Sequence, residues 1–278
     1  MHDDRRSAFR DARTDRTTAA DVPDTPQTRS PAYRLAFADD EFLCRPELRP
    51  VRLQLELMKF EMLLAEHEIE STVVLFGGAR LRETPQAAAT PEIAALSRYY
   101  DEARRFAAAM TNRSMATGNR EWVVCTGGGP GVMEAGNRGA AEAGGVSIGL
   151  NIVLPHEQAP NPYVTPELAF NFHYFAMRKM HFLMRARALC AFPGGFGTLD
   201  ELFEALTLIQ TGRMDGIPVI LFGKAFWERT IDWDGLADAG LINRDDLALF
   251  EIVETADEAV ALLDSWQPRP RRDQIPGR

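Results

Sequence analysis

Six short apolar runs, separated by stretches of helical periodicity, constrain this chain more than any other feature. They are STVVLFGG (71–78), WVVCTGGG (122–129), VSIGLNIVL (146–154), LCAFPGG (189–195), IPVILFG (217–223) and LFEIVE (249–254). A strand with one wet face alternates apolar and polar residues; these runs barely alternate, so both faces are covered. Helices are expected between them. VRLQLELMKFEMLLAEHEI precedes the first run, with Leu53, Leu57, Phe60 and Leu64 at helical spacing, and PEIAALSRYYDEARRFAAAM and GVMEAGNRGAAEAG follow. After the third run a proline-rich loop leads to YFAMRKMHFLMRARA, and LDELFEALTLIQ, AFWERTIDWDGLAD and ADEAVALLDSW complete the alternation. Apolar strands alternating with helices predict an α/β fold: a doubly wound parallel sheet with helices on both faces.

A chain of 278 residues suits one generous domain, expected over 32–266. Residues 1–31 mix Asp, Arg, Thr and Pro and are read as a disordered tail, and 267–278 (QPRPRRDQIPGR) as a second one. The net charge of −9 argues against a nucleic-acid surface, which carries excess Lys and Arg. No apolar stretch has the length of a membrane span, and the start MHDDRRSAFRDARTDR lacks the apolar core of a signal peptide, so a cytoplasmic protein is expected, with no membrane partner. Cys44, Cys125 and Cys190 lack metal-like spacing, and the last two fall in apolar runs where buried thiols are ordinary.

Three glycine clusters directly follow predicted strands: FGGAR (76–80), TGGGPGVMEA (126–135) and PGGFGT (193–198). Ligands of doubly wound sheets bind outside the carboxyl ends of the strands, and backbone free of Cβ atoms at a helix N-terminus cradles phosphate. A dinucleotide fingerprint is absent, because Gly127 and Gly129 call for glycine where Val132 stands. A P-loop is absent too, since the only Gly-Lys pair, Gly223-Lys224, is followed by Ala225. A mononucleotide fits what remains. Thr198 and Glu201 have the spacing of a capping box, which accounts for the glutamate but not for the glycines before it. Arg178 and Arg185 stand seven apart on one predicted helix face; spacing alone leaves open whether they reach the site or pair with acidic neighbours. The histidines lack zinc-helix spacing and no G-x-S-x-G elbow occurs, so neither metal nor cofactor nor serine triad is expected.

Taken in order, TGGGPGVMEAGNRGA, MRK and PGGFGTLDE resemble the lonely guy family of nucleoside 5′-monophosphate phosphoribohydrolases, a family long labelled lysine decarboxylase. The similarity runs from about Thr72 to Ile220 and more weakly to about 265. It implies a Rossmann-like fold, a homodimer or higher oligomer, and cleavage of the N-glycosidic bond of AMP or a cytokinin riboside 5′-monophosphate to free base and ribose 5-phosphate. By the same resemblance Arg178 and Glu201 are catalytic, and Gly194, Gly195, Gly197 and Thr198 hold the phosphate. Gly128, Gly129, Gly131 and Glu134 match a second nucleotide-contacting loop, with Lys179 and Arg80 as further substrate-binding candidates. Gly78 stands where relatives commonly have serine.

A carboxylate beneath C1′ stabilises the positive charge left on ribose as the base departs, the role expected of Glu201. The decarboxylase label fits poorly: pyridoxal chemistry needs a Schiff-base lysine, and only Lys59, Lys179 and Lys224 are present. The competing expectation is a non-catalytic carrier or sensor of nucleotide or molybdenum cofactor, because relatives of this fold bind such ligands without hydrolysing them.

Overall fold

The computed structural model describes residues 10–155 and 159–268, so the outermost parts of both expected tails lie outside the described residues. The chain divides into two compact units, Met1–Met58 and Lys59–Arg278. In the first, α1 (Ala12–Ala20) lies inside the stretch expected to be a tail; Asp11 caps it and none of its residues is buried. α2 (Asp40–Leu43) follows, and α3 (Arg49–Glu66) begins in this unit.

The second unit carries a seven-stranded sheet of β1 (Thr72–Phe76), β2 (Val123–Thr126), β3 (Ser147–Ile152), β4 (Ala169–Phe172), β5 (Ala186–Ala191), β6 (Val219–Phe222) and β7 (Glu251–Val253). Its order is β4-β3-β2-β1-β5-β6-β7, and every pairing is parallel. The remaining helices are α4 (Pro91–Ala95), α5 (Arg98–Met115), α6 (Val132–Glu142), α7 (Phe175–Met184), α8 (Phe196–Gln210), α9 (Lys224–Thr230), α10 (Trp233–Asp238) and α11 (Ala256–Ser265).

The unbroken apolar character of the strands has its predicted cause. All five residues of β1 are buried, Val74 and Phe76 toward one core and Val73 and Leu75 toward the other. The first core takes Phe60 and Leu64 of α3, Phe182 of α7, Leu202 of α8 and Trp227 of α9; the second takes Phe106 of α5, Val132 of α6 and Ala259 of α11. Each fully buried large apolar side chain contributes about 1.5–3 kcal/mol, the main term holding the layers together. Cys125 and Cys190 lie in β2 and β5, buried, and burial pushes both thiols up.

Beyond α1, four elements depart from the sequence reading, the first being the helix expected over AFWERTIDWDGLAD, which divides at Ile231–Asp232 into α9 and α10. Ala169–Phe172, placed in the proline-rich loop, is instead the edge strand β4, paired with β3. The helix expected through 174–188 stops at Met184, because from Ala186 the chain pairs with β1, and ladder bonds override the helix preference of Ala-Arg-Ala. The helix expected from Pro91 breaks between Ala95 and Arg98. The strand order reverses between β1 and β5, so the loops after them open on the crevice where such sheets bind ligands.

Candidate functional site

The loops after β1 and β5 meet backbone to backbone. Phe192 N donates to Phe76 O at 2.8 Å and Gly78 N donates to Pro193 O at 2.9 Å. A Cβ on Gly78 would lie 2.7 Å from Leu81 Cδ1 and 3.0 Å from Pro193 O, so bare backbone there permits the close approach, and a side chain requires Leu81 to move. Above this junction lies a cavity of about 700 Å³. Arg80, Gly194, Gly195, Gly197, Thr198, Arg178 and Glu201 all line it. The remaining candidates, Gly128, Gly129, Gly131, Glu134 and Lys179, are not among its lining residues.

α8 starts at Phe196 with Gly195 as its N-cap residue, three positions earlier than a capping box would put it. Thr198 therefore lies in the first turn, buried against Gly194, and Glu201 lies in the second turn, out of capping range. The capping expectation is thus corrected: the N-cap falls three residues before Thr198, and Glu201 is left for the cavity. The first intrahelical bond runs from Leu199 N to Gly195 O at 3.1 Å, and the amides before it belong to the orphan donors of a helix start. Around Gly195 and Gly197 a Cβ would meet nothing within 4 Å. Packing within the protein does not call for glycine at these two positions; an approaching ligand would.

Glu201 is 4% exposed, and its Oε2 is buried with no hydrogen-bond partner among the described residues. Burial pushes its carboxyl up to about 7, against the pull of Lys179 and Arg178 and with the push of Glu204 and Asp200. Perturbed carboxyls in clefts mark functional sites. Arg178 comes from α7. Its Nε donates to Leu150 O at 2.6 Å, and its guanidinium carbon lies 5.1 Å from the Phe182 ring centroid. Gly127 admits it, since a Cβ there would lie 2.6 Å from its Nη2. Arg185, by contrast, donates to Glu61 Oε2 at 2.5 Å, so of the two arginines one lines the cavity and the other ties α7 to α3.

Lys179 makes two ion pairs, 2.9 Å to Asp200 Oδ1 and 2.7 Å to Glu204 Oε2. Burial pulls its pKa down, but its pairing with Glu204 and Asp200, which accept from the ammonium, and the charge of Glu201 more than offset this and hold it above the usual lysine value. That is the reverse of what a Schiff-base lysine needs.

The loop after β2 spends its glycines on architecture. Gly128 has φ +71°, and a Cβ would fall on the Asn151 side chain; Gly131 also has φ +71°, and a Cβ would fall on Gly78 O. A buried network holds the loop: Gly128 N donates to Thr126 Oγ1 at 2.9 Å, and Thr126 Oγ1 donates to Asn137 Oδ1 at 2.7 Å. Asn161 Nδ2 donates to Gly128 O, Gly129 O and Asn137 Oδ1. Glu134 accepts from Tyr100 Oη at 2.8 Å.

Apolar cavity residues missed by the sequence reading include Ile93, Leu96, Ile152, Leu154, Phe175 and Phe226. Phe196, inside the glycine motif, is 92% exposed at the mouth. Apart from Phe196 these come from α4 and its end, the end of β3 and the loop after it, and the starts of α7 and α9, with no motif of their own. Among the described residues no group of three or more His, Cys, Asp or Glu is placed to hold a metal ion, and no helix is long and apolar enough to cross a membrane.

A doubly wound parallel sheet with a glycine-bare helix start, an arginine and a buried acid around one cavity at its switch point defines the class: an α/β protein of Rossmann-like fold with a cavity where such sheets bind ligands. A family model described as "Possible lysine decarboxylase" matches residues 133–263. A bifunctional cytokinin biosynthesis protein of Fusarium pseudograminearum is 38% identical over 83 residues, covering 30% of this chain and 17% of that protein. A cytokinin riboside 5′-monophosphate phosphoribohydrolase of Arabidopsis thaliana is 26% identical over 52% of this chain and 64% of its own length. One from Mycobacterium marinum is 30% identical over 51% of this chain and 76% of its own length. The match thus spans less than two thirds of the first two relatives. Among solved structures, a molybdenum cofactor binding protein from Rippkaea orientalis aligns at TM-score 0.47 and 20% identity, over 70% of this chain and 96% of that one. A likeness at that level carries no argument about ligand or activity. The chain belongs to the lonely guy family, whose curated members carry the name cytokinin riboside 5′-monophosphate phosphoribohydrolase.

Proposed function

We propose that this protein hydrolyses the N-glycosidic bond of a nucleoside 5′-monophosphate, AMP or a cytokinin riboside 5′-monophosphate, releasing free base and ribose 5-phosphate. One observation carries the reading. Glu201, a buried carboxyl with an unpartnered oxygen, lines the same cavity as the start of its own helix, which leaves open the Cβ space of Gly195 and Gly197.

In this reading the 5′-phosphate sits against the amides at the start of α8, attracted by the helix dipole, with Thr198 beside it. Arg80 adds positive charge from the loop after β1. The phosphate fixes the ribose relative to Glu201 one turn further on, and positioning of this kind is worth several kcal/mol. As the C1′–N bond breaks, its electron pair leaves with the base and the ribose becomes cationic. Ionised Glu201 stabilises that cation and accepts a proton from the water whose oxygen bonds to C1′; the departing base takes one proton from solvent and Glu201 returns its own to solvent, so one water is divided between sugar and base. A carboxyl near 7 suits both parts, being ionised in a large fraction at neutral pH and basic enough to take the proton. Arg178 holds the carboxylate charged and faces the ligand. Gly128, Gly129, Gly131 and Glu134 serve by shaping the loop after β2, and the apolar side chains lining the cavity receive the base.

We also assign the protein to the cytoplasm and to a homodimer or larger assembly. Val51, Leu55, Met58 and Met62 recur on one face of α3, all exposed, a stripe that a second copy would cover. Light scattering after size exclusion tests this, and a monomer at working concentration contradicts it.

The test of activity is chromatographic. Purified protein is incubated with AMP, CMP, GMP and prenylated AMP, with Glu201→Gln as control. Free base and ribose 5-phosphate are expected from the wild type and not from the variant. Binding of AMP without release would replace hydrolysis by a carrier or sensor role.

A further inference from the structure

α7 and α8 each present an adjacent pair of residues to one another. Arg178 lines the cavity and its neighbour Lys179 does not; Asp200 and Glu201 both line it, with Glu204 one turn later outside the lining. The ammonium of Lys179 bridges Asp200 and Glu204, at 2.9 and 2.7 Å, with its side chain only 18% exposed. Two acidic partners on one helix fix the cation in place; water screens the pair with the more exposed Asp200 and screens less the pair with Glu204. We propose that Lys179 is a positioning residue acting through Glu201: clamped by Asp200 and Glu204, its ammonium holds the buried carboxylate as an anion facing the cavity, and Glu204 limits that hold by repelling it. This rests on the reading of Glu201 as the working carboxylate.

The charged groups facing Glu201 are Lys179 and Arg178 from α7, Asp200 and Glu204 from its own helix, and Arg80 on the loop after β1 across the cavity. Lys179 and Glu204 pull its titration in opposite directions. If the clamp were only mechanical, linking two helices, breaking it from either side would do the same thing: loosen α8 and change Glu201 one way. An electrostatic role predicts opposite signs. Removing the ammonium leaves the carboxylate less stabilised. Removing the Glu204 charge ends a repulsion and leaves the ammonium freer to lean toward Glu201.

The experiment reads Glu201 directly. The full chain is labelled with 13C at glutamate side-chain carboxyls, and the Glu201 signal is assigned by its loss in Glu201→Gln. The midpoint is then followed against pH in wild type, Lys179→Met, Lys179→Arg and Glu204→Gln. Lys179→Met is expected to raise it by about one pH unit, Glu204→Gln to lower it by about half a unit, and Lys179→Arg to restore it. The pH profile of kcat/KM should follow the same order. Should Lys179→Met fail to fold, the sign of the Glu204→Gln shift decides. Midpoints that move in the same direction for both variants, or that do not move in folded protein, overturn the proposal. Because the titration needs no turnover, its failure is separable from a failure to release base.

Discussion

The loops after β2 and β5 look alike in sequence, TGGGPG and PGGFGT, and both open a helix. Physically they are opposites. After β2 the glycines are consumed from within: Gly128 and Gly131 take left-handed backbone, each lies where a Cβ would strike a neighbour, and Asn161 and Asn137 tie up the polar groups around them. After β5 only Gly194 is spoken for, by Thr198 and Gly78, while Gly195 and Gly197 face open space. A run of glycines in sequence can therefore mean a loop that must pack tightly against its own protein or a loop that waits for something to pack against it. The surrounding atoms decide which.

The comparison breaks first at Glu201, which belongs to the waiting loop's helix. Glu201→Gln should reduce base release roughly a thousandfold, the order lost when a central transition-state contact is removed, with AMP affinity changing far less. Equal losses in affinity and turnover would make Glu201 a binding residue. Next, Gly131→Ala should lower the free energy of unfolding by about 3 kcal/mol, from strained backbone and collision with Gly78, read from the denaturant midpoint. A change under about 0.5 kcal/mol would show that the β2 loop is as free as its partner.

A comparable effect is expected in stability against pH. The folded-state value of Glu201, about 7, lies above its unfolded value near 4.5, so between these the native state binds the extra proton and loses stability as pH rises. Glu201→Gln escapes this loss. It should match the wild type near pH 4.5 and exceed it by up to about 3 kcal/mol at pH 8. A constant difference across that range would mean the carboxyl titrates normally. The smallest effect is the sharpest: Gly197→Ala should leave stability within about 0.5 kcal/mol yet weaken AMP binding on the order of tenfold, by calorimetric titration. Unchanged affinity would place the phosphate elsewhere.

The alternation of apolar runs with helices made the sheet legible because strands buried on both faces cannot hide their composition. β4 escaped because it is a short edge strand whose AFNF alternates between exposed and buried residues, next to prolines. The end of α7 escaped because Ala-Arg-Ala has no local reason to be a strand; only its pairing with β1 makes it one. Within the site, Arg178, Glu201 and the glycines after β5 were visible as motif. The clamp on Lys179 was not, because its partners Asp200 and Glu204 lie on another helix; in sequence Lys179 reads only as charge support or a ligand contact near the site. The apolar wall from Ile93, Leu154 and Phe226 was invisible for the same reason: it is drawn from α4, the loop after β3 and α9, far apart in the chain.

The central claim is that the loop after β5, and not the one after β2, receives the phosphate, with Glu201 at the sugar. A crystal of Glu201→Gln soaked with AMP tests this most directly. The account predicts phosphate oxygens on the amides of 196–198 and C1′ in contact with residue 201. Phosphate seated on Gly128–Gly131, or a ribose turned away from residue 201, would contradict it.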